Sequence, residues 1–212
     1  MISFSGIDCG GKSTQIEKVK LAMEAKNKKV KVIHSRGGYT PMLEWFKTLI
    51  RSDKKGSKEE QAQYREAVHS SPKKRKLLLW LSILDLGFYY GIYFRLVELF
   101  GKTILADRYF WDSCIDFRMK YSEFNFEKWL VWKFAKAIHK KPKHSVIYTI
   151  PAELSMYRST LKEEPWPEPV EVRRDRIDRY MKEIELGKWQ HVIDATGTIE
   201  EVYEETVKVI GL

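Results

Sequence analysis

Apolar residues along the chain gather into five short runs, each closed by a turn signal or leading into a segment of helical spacing. Residues 2–7 end at a glycine-rich stretch, 30–33 follow the polar run 26–29, and 103–106 lead into Asp107-Arg108-Tyr109. Residues 146–150 stop at Pro151 and 191–193 stop at Asp194. Between these runs lie Ile16, Val19 and Met23, and again Trp129, Trp132 and Ala135, at the spacing of one helix face. Pro151 suits a first helical turn, with Glu153 near the positive end of the helix dipole. Thr198 followed by Glu201 fits a capping box that opens the last helix. Strands alternating with helices predict an α/β fold on a five-stranded, mostly parallel sheet.

Two stretches break the alternation. Residues 36–76 are polar and lysine-rich, and 159–179 are dense in charge and carry Pro165, Pro167 and Pro169. Both read as excursions from the sheet, so the 212 residues are expected to form a single domain. The most apolar segment, 77–100, is interrupted by Asp85, Arg95 and Glu98 and is expected to be a buried helix. No membrane association is predicted. The start of the chain has neither a basic n-region nor a cleavage-site pattern, which predicts a cytoplasmic protein.

The 38 basic and 29 acidic residues give a formal net charge of +9, a surplus that favours anionic partners without choosing among them. The two cysteines, Cys9 and Cys114, have no metal-ligand spacing and are not expected to form a bridge. The histidines also lack such spacing and receive no role.

The most informative stretch is Gly6-Ile7-Asp8-Cys9-Gly10-Gly11-Lys12-Ser13, which satisfies G-x-x-x-x-G-K-[ST]. A loop of this kind wraps a polyphosphate in backbone N–H groups, which requires glycine at its tight positions. Lys12 then supplies a point charge to the β- and γ-phosphates, and the Ser13 hydroxyl can ligate Mg²⁺. The expected nucleotide-binding set is Gly6, Asp8, Cys9, Gly10, Gly11, Lys12, Ser13 and Thr14, with ATP and Mg²⁺ as the ligands.

Phe4-Ser5-Gly6-Ile7-Asp8 and Gly11-Lys12-Ser13-Thr14-Gln15 together resemble the opening of thymidylate kinases. Asp107-Arg108-Tyr109 is similar to that family's Asp-Arg-Tyr motif. Pro151, Glu153, Arg158 and Lys162 resemble the stretch leading into its lid, and Val192-Ile193-Asp194-Ala195 resembles its final strand. The resemblance implies a P-loop NTPase-like three-layer fold with an acceptor-binding excursion at about 36–76 and a lid at about 159–176. It implies transfer of the γ-phosphate of ATP to a nucleoside monophosphate, most simply dTMP to dTDP, and a homodimer packed through helices, with 77–100 contributing a face.

The resemblance also assigns roles. Lys12, Asp107, Arg108 and Arg158 would be catalytic, and Ser13 and Asp107 would hold magnesium. Arg36 and Arg108 would grip the acceptor phosphate, Asp8 would face the acceptor's sugar, and Trp80 would line the acceptor pocket. Arg158 and the basic residues Lys162, Arg173, Arg174 and Arg176 would close over the donor.

The departures fall in the base-reading half. With Trp80 as the family's aromatic, Leu84 stands where an arginine reads thymine, and Asp116-Phe117 stands where the family carries Tyr-Gln. A kinase of a different small acceptor is therefore a second expectation. A nucleotide-dependent module acting on nucleic acid is a third, less favoured because no nucleic-acid-binding motif is present.

Plainer readings accompany several assignments. Asp107-Arg108-Tyr109 also fits a strand-end turn with a local ion pair. Arg173, Arg174, Arg176 and Arg179 fit a solvated helix face balanced by Asp175 and Asp178. Arg36 fits a loop residue, and the aromatic cluster Trp80, Phe88, Tyr89, Tyr90, Tyr93 and Phe94 fits core.

Overall fold

The predicted apolar runs become β1 (Ile2–Gly6), β2 (Val30–His34), β3 (Thr103–Asp107), β4 (His144–Thr149) and β5 (His191–Asp194). They form one sheet in the order β2-β3-β1-β4-β5 in a computed structural model that describes residues 1–35, 71–163 and 167–212. All pairings are parallel. The chain is thus α/β, with helices flanking the sheet.

The helices are α1 (Lys12–Ala25), α2 (Pro72–Phe88), α3 (Phe94–Leu99), α4 (Phe110–Lys120), α5 (Leu130–Ile138), α6 (Ala152–Leu161), α7 (Val170–Glu185) and α8 (Ile199–Ile210). A π-helical turn, Tyr89–Tyr93, joins α2 to α3.

The chain divides into two compact groups. The first comprises Met1–Ser35, Leu96–Ile115 and Lys141–Leu212, and holds the whole sheet. β1 is central and buried along its full length, as a strand covered on both faces of a parallel sheet must be. Phe4 of β1 stacks on Tyr148 of β4 with ring centroids 6.3 Å apart. The Tyr148 hydroxyl bonds Thr206 of α8 at 2.9 Å, so this aromatic pair fixes the last helix to the sheet as well as filling space. Helix α1 packs against β1, β2, β3 and α8, and α6 packs against α7.

Two helix starts test the sequence reading. Pro151 is the N-cap of α6 rather than its first helical residue: its extended ψ of 149° lies outside the helical range. At α8 the capping box is complete. Thr198 accepts from the Glu201 N–H at 3.2 Å, and the Thr198 N–H donates to Glu201 Oε2 at 2.8 Å.

The second group comprises Arg36–Arg95 and Asp116–Lys140, of which 36–70 lie outside the described residues. Here α2 packs against α5, and Phe117, Phe126 and Trp132 form a chain of edge-to-face rings at 5.9 and 5.0 Å. Trp129, expected on the same helix face as Trp132, is instead the N-cap of α5.

The expectation that 77–100 is a buried helix is corrected. Pro72–Leu99 is one helical run of 28 residues whose most apolar window has mean hydropathy 1.5 and is half buried. Leu77, Trp80, Phe88 and Ile92 recur at helical spacing on its exposed side. Its length and composition are those of a helix able to cross a membrane. The aromatic cluster divides accordingly: Tyr90 and Phe94 are core, while Trp80 and Phe88 are exposed.

Replacing Thr198 by Ala removes the α8 cap and is expected to cost about 1 kcal/mol, lowering Tm by roughly 2–4 °C in a thermal melt followed by circular dichroism.

Candidate functional site

The order of strands determines where a ligand can approach. β1 leads through α1 to β2 on one side of the sheet, whereas β3 leads on to β4 on the other side. Right-handed crossovers therefore send the chain to opposite faces after these two adjacent strands, leaving a crevice at their carboxyl ends. The glycine loop after β1, and Asp107 at the end of β3 with Arg108 next to it, border it.

The loop's backbone explains its glycines. Gly6 has φ of +131°, and a Cβ there would lie 2.5 Å from the carbonyl oxygen of Tyr148 on β4. Gly11, the N-cap of α1, has φ of +84° and supplies no side-chain cap. No acidic residue occupies the first turn of α1. The first N–H groups of the helix and its positive dipole end are thus left to an external acceptor. Cys9 adopts φ of 58° and is half-buried, while Ser13 and Thr14 lie exposed on the first turn.

Lys12 is folded over this loop. Its Nζ donates to Gly6 O at 3.0 Å and Ile7 O at 2.6 Å, and only 6% of the residue is exposed. Burial lowers its pKa to about 8, helped by the nearby Arg108 charge and opposed by Asp107, Asp8 and Asp112.

Arg108 is buried and holds φ of 66°, a left-handed conformation costly for a residue with a Cβ. Its N–H donates to Phe4 O at 2.8 Å, locking the turn after β3 onto β1. Its guanidinium forms an ion pair with Asp8 across the crevice. Asp107 accepts from His34 Nδ1 at 2.9 Å through Oδ2, while its Oδ1 is buried with no hydrogen-bond partner among the described residues.

The structure therefore brings Asp8, Lys12, Ser13, Asp107 and Arg108 to one edge of the sheet. Arg158 of α6 is half-buried and donates to Ala195 O at 3.1 Å. Trp80, 42% exposed, lies on α2 in the second group, and Arg36 lies outside the described residues. The lid expected at 159–176 consists of the end of α6 and the start of α7, with 164–166 outside the described residues.

The solvated-face reading of the α7 arginines is corrected for two of them. Arg173 is 1% exposed, and Arg176 is buried with its guanidinium 2.9 Å from Glu168. Arg174 and Arg179 are the surface pair, bonded to Glu153 and Asp175.

Several residues of this edge went unread in the sequence. Asp112 is 1% exposed and accepts from Ser5 Oγ at 2.6 Å, Tyr180 Oη at 2.6 Å and the Tyr109 N–H at 2.9 Å. Burial raises its pKa, against the pull of Arg108 and of these donors. His34, which has no metal-ligand spacing in the sequence, sits directly on Asp107. Ser155 of α6 donates to the carbonyl of Asp8 at 2.8 Å. Only Asp112 left a signal: three residues after Tyr109, it returns to the helix's first N–H in the manner of a capping box. Among the described residues, no three His, Cys, Asp or Glu side chains gather closely enough to hold a metal ion by themselves.

The buried ammonium makes stability depend on pH with a definite sign. Between a folded-state pKa of about 8 and the ordinary 10.5, the folded chain binds fewer protons at Lys12 than the unfolded chain, so stability rises with pH across that window. Urea melts are expected to show wild type gaining up to about 3 kcal/mol on Lys12→Met between roughly pH 7 and pH 10. An unchanged gap would mean that the ammonium is not desolvated. Compared with known proteins, the chain matches no protein-family model and no curated protein sequence.

Proposed function

We propose that the chain is a magnesium-dependent phosphotransferase of P-loop NTPase-like fold that moves the γ-phosphate of ATP to a nucleoside monophosphate, with dTMP the first acceptor to try. The observation that carries this is the glycine loop between the central strand and α1, with Lys12 buried over it and Arg108 beside it. Residues able to grip two anions border one crevice, which is what transfer between two phosphates needs.

In this reading an oxygen of the acceptor phosphate attacks the γ-phosphorus in line. The bond from γ-phosphorus to the β–γ bridging oxygen breaks, and its electron pair leaves on ADP. The amides at the start of α1 hold the donor phosphates. Lys12 exchanges the Gly6 and Ile7 carbonyls for phosphate oxygens, an exchange that favours its charged form. Arg108 exchanges Asp8 for the acceptor phosphate, using the planar fork that suits phosphate. Asp8 is then released toward the acceptor's sugar.

The residues present fit magnesium: Ser13 is exposed on the first turn of α1, and one buried oxygen of Asp107 has no hydrogen-bond partner among the described residues. Mg²⁺ takes one or two protein ligands alongside water and phosphate, so no larger cluster is required. Bound there, it supplies charge neutralisation across the β- and γ-phosphates.

A second acceptor class is favoured by specific residues. With Trp80 as the family's aromatic, Leu84 stands where an arginine would read thymine, and in Asp116-Phe117, which stands for Tyr-Gln, Phe117 is buried against Phe126, so neither Leu84 nor Phe117 offers a polar contact to a base. Another small phosphorylated or hydroxylated acceptor is the second reading.

ATP turnover against a panel of monophosphates tests both, and none accepted at millimolar concentration would sink the first. Lys12→Ala is expected to lower kcat by roughly a thousandfold or more. Arg108→Ala is expected to raise acceptor KM about a hundredfold while changing ATP affinity severalfold at most.

A further inference from the structure

Arg173 is the largest fully buried side chain among the described residues, and the proposed phosphoryl transfer gives it no step. Its Nε donates to Glu168 O at 2.9 Å, its Nη2 to Ser159 Oγ at 3.1 Å, and its Nη1 to Ser155 Oγ. The Ser155 hydroxyl accepts from Arg173 and donates to the carbonyl of Asp8 at 2.8 Å. Ser155 is fully buried. A hydroxyl that accepts from a guanidinium is polarised and becomes a better donor, so the two bonds reinforce each other.

We infer that Arg173, acting through Ser155, is a positioning residue for the phosphate loop: it fixes the Asp8 carbonyl and with it the left-handed turn at Cys9. This role replaces the contact with donor phosphate that its place beside the lid implied. The fixed carbonyl lies in the middle of the loop, between Gly6 at the close approach to β4 and Gly11 at the start of α1. Gly10 N–H closes a turn onto Ile7 O at 3.2 Å and Arg108 holds the Asp8 carboxylate, whereas Ser155 holds the main chain at Asp8; without that bond the amides facing the donor lose part of their preset orientation. The inference rests on the phosphotransferase reading for its consequence, but not for its test.

Cys9 provides a readout that needs neither ligand nor activity. The two cysteines are both reduced, Cys9 half-buried in the loop and Cys114 buried on α4. Labelling of the ligand-free full chain with a chromogenic disulfide reagent therefore reports loop opening as a fast Cys9 phase and global unfolding as a slow Cys114 phase.

Ser155→Ala, which removes the bond to the loop, is expected to accelerate the Cys9 phase about tenfold and leave Cys114 unchanged. Ser155→Thr keeps the hydroxyl and restores the wild-type rate. Ser159→Ala removes the other hydroxyl that accepts from Arg173 and leaves the Ser155 bond to Asp8 in place, so it stays within about twofold of wild type. Arg173→Lys, which loses the three-way fork, follows Ser155→Ala; should it fail to fold, the serine variants decide.

Equal Cys9 rates in Ser155→Ala and Ser159→Ala would overturn the inference, as would acceleration of both phases together. In the same assay MgATP slows the wild-type Cys9 phase. Absence of that protection indicts the phosphotransferase reading and leaves the ligand-free comparison standing. Where turnover is measurable, Ser155→Ala raises KM for ATP several-fold with acceptor KM unchanged, a split that general loosening of the fold does not produce.

Discussion

An ammonium group withdrawn from water without a carboxylate in direct contact costs several kcal/mol unless dipoles replace its hydration. The rest of the sheet's carboxyl edge depends on how Lys12 meets that requirement. Two successive carbonyls, Gly6 and Ile7, turn toward its Nζ. They can do so because the chain leaves β1 through a glycine at φ of +131° and re-enters a helix through another at +84°. The carbonyls that satisfy the Lys12 ammonium thus belong to the stretch whose shape the two glycines set. Arg108 and Asp8 repeat the arrangement across the crevice, each satisfying the other's charge.

Much of this was legible in the sequence because it is local. The five apolar runs, the glycine spacing, Lys12 and Ser13, and the capping box at Thr198 and Glu201 involve residues within one element or one turn. Patterns of period 2 and 3.6 carry such information directly. What was not legible depends on tertiary proximity. Asp112 joins Ser5 of β1 to Tyr180 of α7, and His34 meets Asp107 only because β2 and β3 pair in register. Arg173 looked like part of a charged surface because four arginines within seven residues mask which of them turns inward.

The long run from α2 through α3 shows a different limit. Its apolar composition suggested burial, but hydropathy alone does not say which side of a helix faces the core. Leu77, Trp80, Phe88 and Ile92 recur at helical spacing on the exposed side, opposite residues such as Leu79, Ile83, Leu86 and Tyr90 that are buried. Both sides are apolar, so neither the amphipathic pattern of a surface helix nor a count of charges separates them.

The pairing of β1 has a consequence for how the chain reaches this arrangement during synthesis. Ile2 pairs with Leu105 and Gly6 with Tyr148, so the strand made first waits for partners translated far later. Until β4 emerges from the ribosome, nothing holds the backbone against which Gly6 is fitted. The glycine loop, although it precedes β3 and β4 in the chain, is therefore among the last parts of the sheet's edge to acquire its shape. Such non-local parallel pairing is intrinsically slow, and Ile2 and Phe4 of β1 stay unburied until it is made.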